Sequence, residues 1–504
     1  MVSHNAVEST TGRERIDMNT LRKALAFSLA LLLGGCLVGP NYHRPAVTTP
    51  TQYKELAGWT VAAPAADQPK GEWWTAFNDP LLNELEPTVS VSNQTVRQDY
   101  ANYQEALAEV QVARSALFPI VGVTGSVGKQ RSASGLSTGA AGQNTFGAHG
   151  VVTSGSLEGT ASWAPDLWGA VRRNIESSKA TAQASAATLA NARLSEQTAL
   201  ATTVIELRMT DANIDLLTQT VAAFTEFLRV VSNQGAAGTT PPSDVITART
   251  QLENTQSSLI ALGVARAQFA HAIAVLAGKN PEDLDIAHST VVPTLPTVPL
   301  AVPSTLLQRR PDIAVAERQM AAANAQIGVA VAAYYPNLSL SAADGFSQSP
   351  LMGLLHAANH VWSLGADATE NLFQGGLTRA QVAAAKATYE ASVANYRGTV
   401  LKALQNVEDD LAGLRILAEQ SEVLDSAVRD ATRGTEIAFN EYRAGTVDYT
   451  TAATAQATQL STEETALNVK QQRLLDAVSL IGDLGGGWSA DELQNPPKAA
   501  AAAP

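Results

Sequence analysis

One cysteine, Cys36, is all that this 504-residue chain contains. A lone thiol excludes an internal disulfide framework and leaves no cysteine cluster for zinc. Aromatic residues make up 5% of the chain and charged residues 16%, while Ala, Ser, Thr and Gln fill long stretches. Small side chains with few aromatics suit closely packed helices better than a thick globular core. Basic charge is scarce too: 34 Lys and Arg against 47 Asp and Glu leave a net charge of −13 at pH 7. Nucleic acid is therefore not an expected partner. The sequence has no Gly-Lys-Ser/Thr phosphate loop, so nucleotide hydrolysis is not expected of it.

What the N-terminus does have is a processing signal. Arg22 and Lys23 form a positive flank, Ala24 to Leu33 an apolar run, and Gly34-Gly35 a small-residue site before Cys36. The run is too short to cross a bilayer and fits a secretory signal. Either Met1 or Met18 serves as its start, since residues 1–17 add nothing a signal needs. Leu33-Gly34-Gly35-Cys36 resembles the bacterial lipobox, which implies that the Cys36 thiol receives a diacylglycerol and becomes the mature N-terminus. A signal peptide that merely happens to contain a cysteine is the alternative. Several acyl chains on one residue make a lasting anchor. In lipoproteins an Asp after the Cys means retention at the inner membrane; Leu37 in that place implies the outer membrane.

The rest of the chain repeats itself. "KATAQAS" at 179–185 returns as "KATYEAS" at 386–392, and "AGT" at 237–239 returns at 444–446 with the same offset. "TQL" recurs at 250–252 and 458–460, and Pro119 has its counterpart in Pro336. A Pro-rich connector, "VVPTLPTVPLAVPS" at 291–304, separates the halves and reads as an extended linker. In each half a helix, 93–117 or 310–334, ends at a Pro and a polar–apolar alternation begins. Leu338, Leu340 and Ala342 face one way, while Asn337, Ser339 and Ser341 face the other; 157–163 and 362–369 alternate similarly. Period-two alternation with small polar residues on one face is the signature of a water-filled membrane barrel. Each half supplies only two such strands, and four cannot close around a lumen. Several chains must share one barrel.

After the strands comes a very long helix, with no Gly or Pro from 170 to 234. Leu200, Val204, Leu207 and Ile214 recur on a heptad, and after a one-residue slip Leu217, Val221, Phe224, Leu228 and Val231 continue it. That spacing is a coiled-coil seam. The matching span 377–444 lacks Pro but carries Gly398, Gly413 and Gly434, positions for a bend or a close approach. At about 1.5 Å per residue each helix would run roughly 100 Å. Shorter helices are expected to return over 244–277 and 448–480.

These stretches resemble the TolC-type outer-membrane factor family, in its lipidated efflux-channel branch. The resemblance rests on "CLVGPNYHRP" at 36–45, "WWTAFNDPLLNEL" at 73–85, "ASWAPDLWGAVRR" at 161–173 and "RRPDIAVAERQMAAANAQIGVAVAAYYP" at 309–336. "LFQGGLTRAQ" at 372–381 and "LGGGW" at 484–488 complete it. It implies a mainly α fold with membrane β-structure: a trimeric α/β-barrel channel with four strands per protomer in a shared twelve-stranded barrel. The barrel is continuous with a long coiled-coil α-helical periplasmic tunnel. The implied partners are two further copies in a homotrimer, a periplasmic adaptor (membrane fusion protein), an inner-membrane transporter and outer-membrane lipid. No cofactor is implied beyond the lipid on Cys36, and no catalytic or metal residue. The layout expected is a signal peptide over 1–35, a lipid-anchored segment over 36–90, a first repeat over 91–280 and a linker over 281–305. A second repeat over 306–488 and an Ala-rich tail over 489–504 follow.

In relatives an Asp and an Arg beyond the second helix turn narrow the periplasmic tip. The corresponding positions are Thr454 and Ala457, which implies that this charged latch is absent. Asp448 and, in the first half, Asp244 remain as acidic candidates for the tip, against the plainer role of capping a helix. Ala164 and Ala170 stand where relatives often carry Glu and Arg, so an ion pair at the barrel–tunnel junction is expected to be missing.

Two chemical motifs are set aside. "GLSTG" at 135–139 satisfies the nucleophile-elbow pattern, but no helix follows it in its Gly/Ser-rich loop. His356 and His360 in "HAANH" are spaced for a metal pair, yet lack a Glu between them and a third ligand, and read as a short surface helix between strands. The implied function is a passive exit duct for small molecules and drugs in a tripartite efflux system. The exit duct of a type I protein-secretion system, or a lipid-anchored coiled-coil protein bridging envelope layers, are the alternatives.

Overall fold

The computed structural model describes residues 37–47, 50–55, 72–131, 137–138, 144–145, 151–296 and 309–493. After a first short helix, α1 (Pro80–Ser92), the chain passes twice through one order of elements. The first pass is α2 (Gln94–Ser115), β1 (Ile120–Arg131), the two-residue strands β2 (Ser137–Thr138) and β3 (Asn144–Thr145), β4 (Val151–Trp163), α3 (Ala170–Ala236) and α4 (Pro242–Leu276). The second is α5 (Pro311–Ala332), β5 (Asn337–Gln348), β6 (His360–Thr369), α6 (Leu377–Arg443) and α7 (Tyr449–Asp483). Matching helices have equal lengths: 22 residues for α2 and α5, 67 for α3 and α6, 35 for α4 and α7. The long helices start at 170 and 377 and the return helices at 242 and 449, one offset of 207 residues. The elements before the strands follow a longer offset, which explains why Pro119 and Pro336 stand further apart than the other matches. Most of the difference is taken up between the strands, at 132–150 in the first pass and 349–359 in the second.

The described residues divide into two units. One contains residues up to 43, 109–179 and 322–389, and with them the four-stranded antiparallel sheet, in the order β1-β4-β5-β6. Trp163 and Trp168 tie down the ends of its strands. The indole N–H of Trp163 donates to the Leu117 carbonyl at 3.0 Å, and that of Trp168 to the Pro336 carbonyl at 2.7 Å. Among the described residues, both outer strands of the sheet, β1 and β6, have one unpaired edge.

The other unit contains residues 44–108, 180–321 and 390–493. Its main core joins Trp74, Phe77, Leu82 and Leu85 near α1 to Leu200, Val204 and Leu207 of α3, Val407, Leu411 and Leu414 of α6, and Leu474 and Val478 of α7. The first part of the heptad seam expected on α3, Leu200, Val204 and Leu207, is thus buried, as are its equivalents Val407, Leu411 and Leu414 on α6. Asp79 caps α1 by accepting from the Leu82 amide at 3.0 Å, and its second oxygen accepts from Arg208 at 2.8 Å. That carboxylate is fully buried, which explains why "FNDPLL" carries a charge in the middle of an apolar stretch. Nearby, Asp211 accepts from Arg266 at 2.7 Å and from the Ser289 amide at 3.1 Å, while His288 bridges Asp211 and Asp215. The segment after α4 is therefore fastened to α3, and the Thr294 amide donates to the Phe77 carbonyl at 2.9 Å.

Candidate functional site

Three places in the chain bear on function: the segment after Cys36, the two faces of the sheet, and the end of the helical unit where the long helices turn back. Cys36 itself lies outside the described residues, but Leu37 onward does not. The Val38 amide donates to the Trp168 carbonyl at 3.2 Å. Arg173, 1% exposed, reaches back from α3 to the carbonyls of Val38 and Gly39 and to Asn41 Oδ1 at 2.9 Å. Gly39 has a φ of +87°, and a Cβ there would come within 2.4 Å of Gly328 Cα on α5. Only glycine fits both demands. "LVGPN" at 37–41 is therefore a strap held at fixed points two to five residues beyond the cysteine. Beside it, Asp166 accepts from the amides of Val171 and Arg172 and from Arg172 Nε at 3.0 Å. This carboxylate caps α3 and forms an ion pair close to the place where Ala164 and Ala170 implied that one was missing.

Residues opposite one another in a sheet share a face. One face carries the rows Val121–Ala161–Ala342–Leu364 and Val123–Gly159–Asp344–Trp362, together with Leu157 opposite Phe346. The other carries Gly122–Thr160–Ala343–Ser363, Ser126–Ser156–Ser347 and Ser162–Ser341–Gly365, with Ser339 opposite Asp367. The alternation inferred for single strands is thus in register across all four. Within those rows stands one carboxylate, Asp344, which His360 Nε2 meets at 2.9 Å. His356 and His360 are not on one helical turn: His356 precedes the short 3-10 turn Ala357–Asn359 and His360 opens β6. Ser137 of "GLSTG" stands in a strand, opposite Thr145, rather than at a strand–helix elbow.

The two helix turns are built alike. Gly238 and Gly445 have φ of +73° and +74°, the left-handed conformation that ends a helix. The following Thr239 and Thr446 each donate both amide and hydroxyl to the carbonyl five residues back, Gln234 or Glu441. The duplicated "AGT" is this cap. Four aromatic rings gather beside it, from a chain poor in them. Phe227 lies 4.6 Å from Phe439 and stacks on Tyr449 at 5.1 Å, with Tyr442 at 5.7 Å. Burial, reinforced by the Asp244 charge, pushes the Tyr449 hydroxyl up to about 12. The helical periodicity pointed to Phe224; the Phe227 cluster went unread because its partners come from the other half of the chain.

Of the four residues singled out at these turns, Asp448 is the N-cap of α7, accepting from the Thr451 amide at 2.9 Å and its hydroxyl at 2.6 Å. Those hydrogen bonds hold its carboxyl below the usual aspartate range. Asp244 is not a cap: Pro241 occupies that position, and Asp244 sits in the first turn of α4 near the hydroxyls of Thr240 and Ser243. Asp448 and Thr454 line one open groove with Gly434 and Ala431. Ala457 is exposed further along α7 and outside that groove.

Comparison with known proteins places this architecture. The profile of the family described as outer membrane efflux protein matches residues 88–279 and 302–486. The chain is 31% identical over 468 residues to the toluene efflux pump outer membrane protein TtgC of Pseudomonas putida, covering 91% of this chain and 94% of the relative. It is 30% identical over 465 residues to nodulation protein T of Rhizobium leguminosarum bv. trifolii, covering 89% and 92%. Among solved structures, the outer-membrane channel OprN superimposes with a TM-score of 0.82 at 28% identity, over 90% of this chain and all 100% of that one. The Campylobacter jejuni CmeC outer membrane channel superimposes with a TM-score of 0.83 at 22% identity, over 91% and 96%, a likeness of fold.

Proposed function

Because the chain belongs to the outer membrane efflux protein family, we propose a role for each of its working parts. The protein is an outer-membrane channel, the exit duct of a tripartite efflux system. The observation that carries the detailed reading is the register of the sheet. It has one apolar and one polar face and two free edges, so it must be closed by further strands with the polar face inward. Three copies supplying four strands each close it. The polar rows of Ser and Thr line the lumen, and the apolar rows face lipid.

The remaining assignments follow from the same arrangement. Cys36 carries the lipid, and the strap at 37–41 fixes where the acyl chains leave the protein. A periplasmic adaptor and an inner-membrane pump supply energy and substrate. The entrance lies at the helix turns, where Asp448 and Thr454 set charge and width and Asp244 adds a second acidic group. Ala457 contributes only its small size. One relative is named for toluene, so small apolar molecules and drugs are the first class to test.

The test is conduction and export together. Purified trimer in planar bilayers conducts, and Asp448→Asn, whose amide oxygen still caps α7, lowers cation preference. A current with unchanged selectivity removes Asp448 from the entrance. A deletion strain becomes sensitive to drugs or solvents with its secreted proteins unaltered; the reverse result favours protein secretion.

A further inference from the structure

The large apolar side chains of the sheet stop short of its far rim. Along β5 they run from Leu338 to Phe346 on one face. That stretch, at about 3.3 Å per residue and a tilt of about 40°, climbs roughly 20 Å. The lipid-facing band of an outer-membrane barrel is about 25 Å tall. Beyond Phe346 the next row on this face is Val127–Gly155–Gln348, and the row after it pairs Lys129 with Thr153. The strands by themselves leave the top of the band unfinished.

The β5–β6 connection stands at this gap. Residues 349–359, "SPLMGLLHAAN", carry Leu351, Met352, Leu354 and Leu355 and no Asp, Glu, Lys or Arg. Leu351 folds back over β4: its Cδ1 lies 2.3 Å from where a Cβ of Gly155 would stand, and Leu354 Cδ2 lies 3.7 Å from the same point. Gly155 is on the face of Leu157 and Gly159, so both leucines seat on the apolar side of the sheet. The turn between them is braced. The Gly353 carbonyl accepts from the His356 amide at 2.9 Å and from Asn359 Nδ2 at 2.8 Å, and the Asn359 amide donates to the His356 carbonyl at 2.9 Å. Gly353 has a φ of +82°, a conformation that favours glycine. This brace leaves Met352 90% and Leu355 65% exposed.

We propose that the β5–β6 connection is a membrane wedge, seated on Gly155 by Leu351 and Leu354 and inserting Met352 and Leu355 among acyl chains of the outer leaflet. Lipid is the occupant because the wedge continues the face that the proposed barrel turns to lipid. Position argues against a second copy: β4 is flanked by β1 and β5 of its own chain, away from the edges where copies would join. Lys129, exposed on the same face just beyond the Gly155 row, stands at the height where anionic headgroups begin. The inference rests on the shared barrel with its apolar face outward. It adds which connection meets the leaflet and with which side chains.

The experiment uses the full-length lipidated trimer in phosphatidylcholine vesicles, with and without brominated acyl chains. Met352→Cys and Leu355→Cys are each labelled with an environment-sensitive fluorophore. Leu364→Cys reports the apolar face, Ser363→Cys the polar face, and the parent protein any label taken up by Cys36. Labels at 352 and 355 are expected to emit as in an apolar medium and to be quenched by brominated lipid severalfold more than the label at 363. If 364 is quenched by lipid while 352 and 355 are quenched only by aqueous iodide, the wedge is wrong and the lipid face stands. Apolar emission at 352 without quenching by brominated lipid means that protein covers the turn, which also overturns the wedge. If 364 escapes lipid quenching too, the outward face itself is wrong and the wedge falls with it. The second arm adds Leu351→Ser and Leu354→Ser, which unseat the turn from Gly155. Lipid quenching at 352 is expected to fall severalfold with that at 364 unchanged; undiminished quenching at 352 overturns the seat.

Discussion

Glu86 is the residue whose surroundings contradict its chemistry most sharply. It is fully buried on α1, and neither carboxyl oxygen has a hydrogen-bond partner among the described residues. Burial pushes its pKa from 4.5 up to about 9. The folded chain thus holds a proton that the unfolded chain loses above about pH 4.5, so Glu86 lowers stability as pH rises between those values, by roughly 3 kcal/mol at pH 7. Glu86→Gln removes the penalty: melting temperatures of variant and parent should agree near pH 4 and diverge at pH 8, with the variant higher. Equal melting at both pH values would mean that the carboxyl is partnered and ionised. Asp79 presents the opposite case, a buried carboxylate satisfied by Arg208 and the Leu82 amide. Asp79→Ala leaves Arg208 buried without its main counter-charge and costs about 3–5 kcal/mol, measurable by thermal unfolding of the trimer. Neither role was legible in sequence. Both carboxylates look like ordinary surface charges of an amphipathic helix until packing puts them inside.

The elements themselves were largely legible, because helices and strands declare their period locally. The spans expected for α2, α5 and the two return helices fall within a few residues of those observed, and α6 runs unbroken through three glycines. What separates those glycines is their neighbours. A Cβ at Gly413 would come within 2.5 Å of Asp476 Oδ2 on α7, whereas one at Gly398 meets nothing. Gly398→Ala should therefore raise stability by about 0.5–1 kcal/mol through helix propensity, while Gly413→Ala gains less, because the Asp476 carboxylate must turn aside to admit the methyl group. Thermal unfolding should show the smaller gain at Gly413, and equal gains would place Gly413 outside the contact. In the sheet, Leu364 lies on the apolar face, and Leu364→Arg should cost about 2–4 kcal/mol if it sits at mid-membrane. Reduced trimer in outer-membrane fractions would register that cost. Normal insertion would reverse the assignment of the two faces.

At the scale of the whole molecule the question is how one chain makes half of every interface it needs. Among the described residues, the sheet has two free edges, and the helical unit leaves apolar side chains such as Ile260, Ile416 and Val423 exposed. On the proposed reading, a lipid on Cys36 assists targeting rather than providing the only hold. Cys36→Ala should lower the yield of outer-membrane trimer while trimers that do form conduct normally. A correctly inserted but silent Cys36→Ala trimer would show that the anchor does more. The sequence by itself determined the duplication, the helix and strand periods and the need to share a barrel, because each is a local pattern or a count of strands. Only the tertiary structure decided that the two repeats are not alike in use. Met209 and Ile416, or Phe227 and Gly434, are matched by position, and nothing along the chain says which will be covered. That is settled by which face of one repeat meets the other, a long-range contact that leaves the opposite faces of both repeats uncovered.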